Sequence, residues 1–525
     1  MTEEVLPSVP SLVAEFAVRG NTCAVATPTG DVTYAELDDL VRERAAMLAG
    51  LGVRKGTVIA LLAPNGIPWI VTWLAAASLG AVLVPMNTFS RPAEVIATLR
   101  HSGAHLLIAV PEFMKQRYRD DLEESLGVRL ALDLDPLESL PQLTTVIWLD
   151  ELDAAGRAAR RIPESVVRSL GADVEASDPL TIVYTTGSTG SPKGIVHSHG
   201  AVLRQAHTMW VMTGQADQPT LWTTMPLNWV GGLTWSFLRI MVAAGSFVTQ
   251  EVFDPAEALA LMMRAGANEA TAWGPVAKLL VEHPAFDADV LGRIDIFERA
   301  LGAGDPQVPQ SLGMTETLGP HSGWSPALHG DQLPAAGLGS LGRALPGMQH
   351  RVIDPATGAD VPDGVGGELL VRGSTMMLGR HRFERREVFD AEGWYHTGDK
   401  VIRRDGFLFL VGRLDDMIKT AGANVSPAEV VAVLVEHESV DQAFVTSMPD
   451  GARGEAVVAF LVPSPLGVDI DEVRALARHE LAVYKVPRHF GVLSPDEVPW
   501  TPTQKVDYQE LRRRAQQLFG EDNPS

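Results

Sequence analysis

The apolar and polar positions of the chain alternate between two rhythms. Thr33 and Glu36 have the spacing of a capping box, and Leu37, Leu40, Val41 and Leu48 follow at helical intervals up to Gly50 and Gly52. A helix is expected there, followed by a buried strand in the apolar run TVIALLA, residues 57–63. Residues 68–86, PWIVTWLAAASLGAVLVPM, carry no charge and approach the length of a membrane span. Gly80 and the β-branched run after it divide this stretch into a buried helix and a buried strand. LTIVYTT, residues 180–186, predicts a strand that feeds directly into a glycine-rich loop. This alternation points to an α/β chain with parallel sheet and flanking helices.

The texture changes near the C-terminus. Residues 393–419, GWYHTGDKVIRRDGFLFLVGRLDDMIK, suggest short strands joined by Gly-Asp turns. In SPAEVVAVLVEH, residues 426–437, Ser426 is placed as a helix cap, Pro427 at the first helical position and Glu429 as the residue closing a capping box. QAFVTSMPD and AVVAFLVPS then suggest strands, and DEVRALARHEL a helix. A small α+β unit beginning near Leu414 is expected, with no internal repeat and no low-complexity linker before it.

Composition narrows the choice of partner. At 525 residues the chain is too long for one core. Lys plus Arg number 43 against 65 Asp plus Glu, a net charge of -22, which argues against nucleic acid or an anionic membrane as a bulk partner. An anionic ligand must then be held by a few local basic groups. Cys23 is the only cysteine, so no intrachain disulfide forms, and a reducing, cytoplasmic setting is expected. The start, MTEEVLPSVP, lacks the basic and apolar regions of a signal peptide.

Residues 184–194, YTTGSTGSPKG, carry the first candidate chemistry. Gly, Ser and Thr are common in surface turns, but here a strand leads in and Lys193 lies inside. Successive backbone N–H groups of such a turn form an anion nest to which hydroxyls add donors. Lys193 follows Pro192 and precedes Gly194, so this is not the nucleotide P-loop with its Gly-Lys-Ser/Thr. SLGMTETLG, residues 311–319, offers Thr315 and Glu316; beside a phosphate loop, Glu316 is placed to hold Mg²⁺ against phosphate oxygens. Asp399 in GWYHTGD suits a turn or a pair of sugar hydroxyls, and Lys505 lies in the proline-punctuated PWTPTQKVD.

Taken in order, YTTGSTGSPKG, GMTET, GWYHTGD and GRLDDMIKTAGANVSPAE resemble the adenylate-forming superfamily, in its acyl-CoA synthetase branch. The resemblance runs from TYAEL to TQKVD. It implies an ATP-dependent acid–thiol ligase: a carboxylate and ATP·Mg²⁺ give acyl-AMP and pyrophosphate, and a thiol, usually coenzyme A, then displaces AMP. It implies a large N-terminal domain of stacked βαβ-type sheets with a β-barrel-like subdomain, residues 1–413, and a mobile α+β domain, residues 414–525, that rotates about Asp415. On the same grounds Thr185, Ser188, Thr189, Gly190 and Lys193 hold phosphates, and Leu312, Gly313, Met314 and Thr315 line the nucleotide. Glu316 takes the metal, Asp399 and Arg413 bind ribose, and Lys505 bridges carboxylate and α-phosphate. Rotation would replace Lys505 by Lys419 and Gly422, whose segment lines the thiol tunnel. Trp229, Gly231, Trp235, Trp273, Gly274 and Leu312 would form the acid pocket, apolar and aromatic.

Four positions depart from the family pattern. Leu312 replaces the tyrosine that stacks on adenine, and Gln504 replaces the glycine before Lys505. PQVPQ, residues 306–310, replaces a longer segment before Ser311, and Trp229 stands where many relatives have a gating histidine. The elements of the thiol step look intact. The leading expectation is a CoA ligase for an apolar, bulky or ring-containing acid, such as natural-product pathways use. A chain that mainly transfers acyl from supplied acyl-AMP is the alternative, followed by loading of a carrier protein or a non-catalytic nucleotide binder. No Asp stands in residues 226–236, which disfavours amino acids. Whether the chain is a monomer or a homodimer is left open.

Overall fold

The computed structural model describes residues 6–186, 192–214, 218–272, 274–287, 310–330, 332–414, 418–420, 423–450, 454–465, 467–481, 484–501 and 506–520. The chain divides into two compact units. The first comprises Met1–Gln349 and Arg372–Tyr395, the second His350–Val371 and His396–Ser525.

The centre of the first unit is a seven-stranded sheet ordered Gly379–Arg380, Pro192–Ser198, Pro179–Thr186, Val82–Pro85, Val58–Leu62, Leu106–Ala109 and Thr145–Trp148. The last five of these run parallel, and Pro192–Ser198 and Gly379–Arg380 each pair antiparallel to the strand beside them. Its two faces follow the period of two. Ile59, Leu61, Leu83, Leu106 and Ile108 enter one core. Ala60, Leu62, Val82, Val84 and Leu107 enter another. A parallel sheet covered on both faces needs such uninterrupted apolar strands. A second sheet, ordered Glu269–Thr271, Thr220–Thr223, Ser246–Val248, Cys23–Thr27 and Gly30–Thr33, is parallel except for its last pair.

Thr33 caps the helix Tyr34–Gly50, with both bonds of the capping box made to Glu36. The uncharged stretch is the buried helix Ile67–Ser78, then Gly80 at φ +70°, then the strand Val82–Pro85. Trp69, Ile70, Trp73 and Leu74 are almost wholly removed from water. No helix among the described residues is long and apolar enough to cross a membrane.

The second unit holds a hairpin and a five-stranded sheet. The hairpin strands, Tyr395–Arg404 and Phe407–Arg413, are longer than the sequence suggested, and their turn lies at Asp405 and Gly406. Gly398 and Asp399 are therefore not a turn. They lie within a strand, close to a register shift between Lys400 and Val401. The sheet is built on the long pair Val440–Asp450 and Gly454–Pro463. Val457, Ala459 and Leu461 pack against the helices Pro427–Leu434 and Ile470–Glu480. Val458, Phe460 and Val462 face the helix Tyr508–Phe519. Ser426 caps its helix by accepting the Glu429 N–H at 3.4 Å and also donates to the Val411 carbonyl. The expected box does not close: the Glu429 carboxylate pairs with Lys485, a partner too distant in sequence for a local pattern to reveal.

Candidate active site

The glycine-rich loop joins two antiparallel strands as the tip of a hairpin. Thr185 lies directly opposite Lys193, and Thr186 opposite Pro192. Both Thr185 and Lys193 are half-buried. Among the described residues, no carboxylate lies within ion-pair distance of the Lys193 ammonium. A partly desolvated cation without a counter-charge is poised for an anionic ligand. Ser188, Thr189 and Gly190 lie outside the described residues.

The segment Leu312–Met314 is a short strand paired with Gly319–Gly323, and a single tight turn, Thr315–Thr317, follows it. Gly313 has no room for a side chain: a Cβ there would stand 2.6 Å from the Gly319 carbonyl carbon. The turn is fastened by Thr317, whose hydroxyl lies 2.6 Å from the Gly319 carbonyl oxygen, and by Leu318 at φ +59°. Two further contacts set its direction. His197 Nε2 lies 2.8 Å from the Thr315 carbonyl, so Nε2 carries the proton and donates. Burial pushes His197 down to about 3, which keeps the imidazole neutral. The Met377 N–H donates to the Glu316 carbonyl at 2.8 Å.

The Thr315 hydroxyl has no protein partner among the described residues. The Glu316 carboxylate accepts from the Tyr395 hydroxyl at 2.9 Å through Oε1, and Arg380 donates to that hydroxyl at 3.0 Å. Burial, and then the Glu316 charge, push Tyr395 up to about 12, so it stays protonated and donates. Oε2 of Glu316 has no protein partner among the described residues. One carboxylate oxygen held and one open, beside an unpartnered hydroxyl, is a donor set that suits Mg²⁺ carried on a polyphosphate. His197, Arg380 and Tyr395 were not singled out in the sequence.

Around the expected acid pocket, Gly231–Leu238 forms a π-helix, a wide coil that recurs at functional sites. Its start is pressed against the chain before it, since a Cβ on Gly232 would overlap the Pro226 carbonyl oxygen. Trp229 and Trp235 are half-buried at this coil. Behind it, Arg239 is 1% exposed, donates to the Trp235 carbonyl at 2.9 Å and pairs with Glu269 at 2.5 Å. Gly274 opens the helix Gly274–Val281, and Trp273 lies outside the described residues.

In the second unit Asp399 stands opposite Arg413 across the hairpin, with Arg413 Nη1 3.0 Å from Asp399 Oδ1. Asp399 is 9% exposed, and its N–H donates to the Thr397 hydroxyl at 3.0 Å. Lys419 lies opposite Asn424 in a short antiparallel pair. Asp415, Gly422, Gln504 and Lys505 lie outside the described residues, as does the shortened segment at residues 306–309. Thus Thr185, Lys193, Leu312–Glu316, Trp229 and Trp235 belong to one unit, and Asp399, Arg413 and Lys419 to the other.

Comparison with known proteins shows the family. Residues 14–379 match the model of the AMP-binding enzyme family, and residues 429–505 that of the AMP-binding enzyme C-terminal domain. The chain is 28% identical over 522 residues to 4-coumarate–CoA ligase 5 of Oryza sativa subsp. japonica, covering 94% of this chain and 92% of that protein. Among solved structures, ATP-bound MatB of Rhodopseudomonas palustris shares the fold at a TM-score of 0.80 and 24% identity, covering 98% of this chain and 100% of that one. The o-succinylbenzoate CoA synthetase of Bacillus subtilis, solved with its acyl-adenylate intermediate, gives a TM-score of 0.74 at 25% identity, covering 97% and 98%. The chain belongs to the AMP-binding enzyme family, in the CoA-ligase branch of the adenylate-forming superfamily, and is an ATP-dependent, AMP-forming acid–thiol ligase.

Proposed function

We propose that the chain activates an apolar, ring-containing carboxylic acid as its acyl-adenylate and passes the acyl group to coenzyme A. The observation that carries the acid class is the π-helical coil at Gly231–Leu238, flanked by half-buried Trp229 and Trp235 with no carboxylate in residues 226–236. Such walls favour a flat apolar body and give no counter-charge to an α-ammonium. The likeness to a 4-coumarate–CoA ligase and to an o-succinylbenzoate CoA synthetase supports the same class.

In this reading Lys193, Thr185 and the loop amides hold the leaving phosphates, and the Thr315 hydroxyl contacts the α-phosphate. Glu316, held by Tyr395, would hold Mg²⁺, which when bound would supply neutralising charge for the leaving pyrophosphate. Asp399 and Arg413 bind the ribose, with Asp399 accepting from its hydroxyls and Arg413 holding the orientation of that carboxylate. Lys505 neutralises the carboxylate and the α-phosphate as they approach. This barrier is mainly electrostatic, so fixed cations at the developing charge contribute most. Rotation about Asp415 then exchanges Lys505 for the Lys419–Gly422 segment, which lines the thiol's approach.

A second reading, in which acyl transfer from supplied acyl-AMP is the main activity, is favoured by Leu312, which offers adenine no aromatic face. Acid-dependent pyrophosphate release across a panel of aromatic, aliphatic and amino acids, with and without CoA, separates the two. Release with aromatic acids supports the first reading. No release with any acid, together with thioester formation from synthetic acyl-AMP, supports the second. Failure of both half-reactions overturns each.

A further inference from the structure

The hairpin that carries Thr185 and Lys193 is braced at its base by groups that the roles above do not use. One rung below that pair, Tyr184 stands opposite Gly194. The Tyr184 ring is largely withdrawn from water, and burial raises its pKa well above the ordinary value. A buried hydroxyl needs a partner. His101, in the last turn of the helix Pro92–Ser102, supplies one: its Nδ1 lies 2.8 Å from the Tyr184 hydroxyl, and the two rings meet edge to face at 5.6 Å.

His381 completes the brace. It follows the short strand that pairs with the far side of the hairpin. Its Nε2 donates to the His101 carbonyl at 3.1 Å, and its N–H donates to the Gly194 carbonyl at 2.8 Å. A Cβ on Gly194 would stand 2.7 Å from Ile182 Cγ2 and 3.1 Å from both His381 Cβ and Tyr184 Cζ, so the three segments are in close contact. Arg382 holds a left-handed φ of +68° while it donates to the Arg100 carbonyl at 2.9 Å. A non-glycine residue keeps that conformation only where its surroundings over-determine it. Burial first, and then the facing His381 and Arg382, lower the His101 pKa and favour the neutral ring.

We propose that His101 is a positioning residue for the adenylation step: through Tyr184, and braced by His381, it fixes how the hairpin presents Thr185 and Lys193 to the leaving phosphates. The inference rests on the phosphate-holding role given to that loop above. Preorganised donors act by not having to reorganise, so the rung that carries Thr185 and Lys193 must be held before the ligand arrives.

His101→Phe keeps a ring of similar size and removes the nitrogen. His101→Asn returns a polar atom near the Nδ1 position, and Tyr184→Phe removes the other partner. The purified full chain and each variant would be titrated with Mg·ATP and with AMP, alongside pyrophosphate release, thioester formation from acyl-AMP and thermal unfolding. His101→Phe and Tyr184→Phe should each weaken Mg·ATP binding about five- to tenfold. AMP, which lacks the phosphates the loop holds, should change by less than about twofold. The double variant should be no worse than either single one, and His101→Asn should recover most of the loss. Equal losses for ATP and AMP with a lowered melting temperature would reduce His101 to a packing residue and overturn the proposal. Unchanged ATP affinity, or additive losses in the double variant, would overturn it too. Binding is read without turnover, so a wild-type chain that binds Mg·ATP yet releases no pyrophosphate overturns the adenylation reading, while the ATP-to-AMP comparison still decides the role of His101.

Discussion

Lys193 and Arg239 illustrate how differently one positive charge is used at two places. Arg239 is sealed against Glu269, the Trp235 carbonyl and the Thr213 hydroxyl and serves the packing behind the π-helix. Lys193, near the tip of a hairpin, has no carboxylate partner among the described residues, which suits its charge to a ligand. Lys505 is expected to act more locally still, at the reacting carboxylate itself. Lys505→Ala should lower acid-dependent pyrophosphate release at least a hundredfold, since one preorganised contact to developing charge contributes about 3–4 kcal/mol. Thioester formation from supplied acyl-AMP should be largely spared, and equal loss of both would remove the assignment. Leu312 and Gln504 test the opposite direction. Leu312→Tyr gives adenine a ring face, a contact of about 1–3 kcal/mol in other settings, and Gln504→Gly frees the backbone before Lys505. The paired substitution should raise the rate of pyrophosphate release and leave transfer from acyl-AMP nearly unchanged. A fall in release would show that the pocket is built around leucine.

At the scale of elements, what could be read in advance was what local pattern determines. The capping box at Thr33, the buried helix before Gly80 and the strand entering the glycine loop all follow from neighbours within a few residues. What escaped was set by partners far along the chain. The antiparallel return of Lys193 makes the loop a hairpin tip, Lys485 withdraws Glu429 from its cap, and His197 ties its strand to Thr315. Asp399 sits in mid-strand because Arg413 and the register of the next strand hold it there, which no local Gly-Asp preference reveals. The His197 tie has a measurable acid limit. Burial holds His197 at about 3 and His199 at about 4, against an ordinary 6.5. In that window the unfolded chain binds protons that the folded chain does not, so stability falls as pH drops from about 6.5 toward 3. His197→Gln keeps a donor for Thr315 without the titration. Its melting temperature should decline less steeply on the acid side than that of the wild type, and parallel acid limbs would contradict this.

For the whole molecule, the residues proposed to bind fall in two units: Thr185, Lys193, Thr315 and Glu316 in one, Asp399 and Arg413 in the other. If the small domain alternates about Asp415, that residue must pass through a large backbone rotation. Asp415→Pro fixes φ near -65°. One half-reaction should persist near the wild-type rate while the other falls at least tenfold, an imbalance that single-turnover assays of each step resolve; equal rates in both would move the pivot elsewhere. The helix Ile67–Ser78 carries a different consequence, for synthesis of the chain. It packs on the earlier helix Tyr34–Gly50 and shares one core with Val9 and Leu12 before it and with Leu180, Leu203, Phe237 and Phe247 long after it. At about 5–20 residues per second, a ribosome needs on the order of ten seconds to deliver those later residues. Throughout that interval an uncharged helix with two tryptophans lacks the part of its core that the later residues complete. Nascent chains halted before Phe247 should therefore associate with holdase chaperones, and those halted well beyond it should release them.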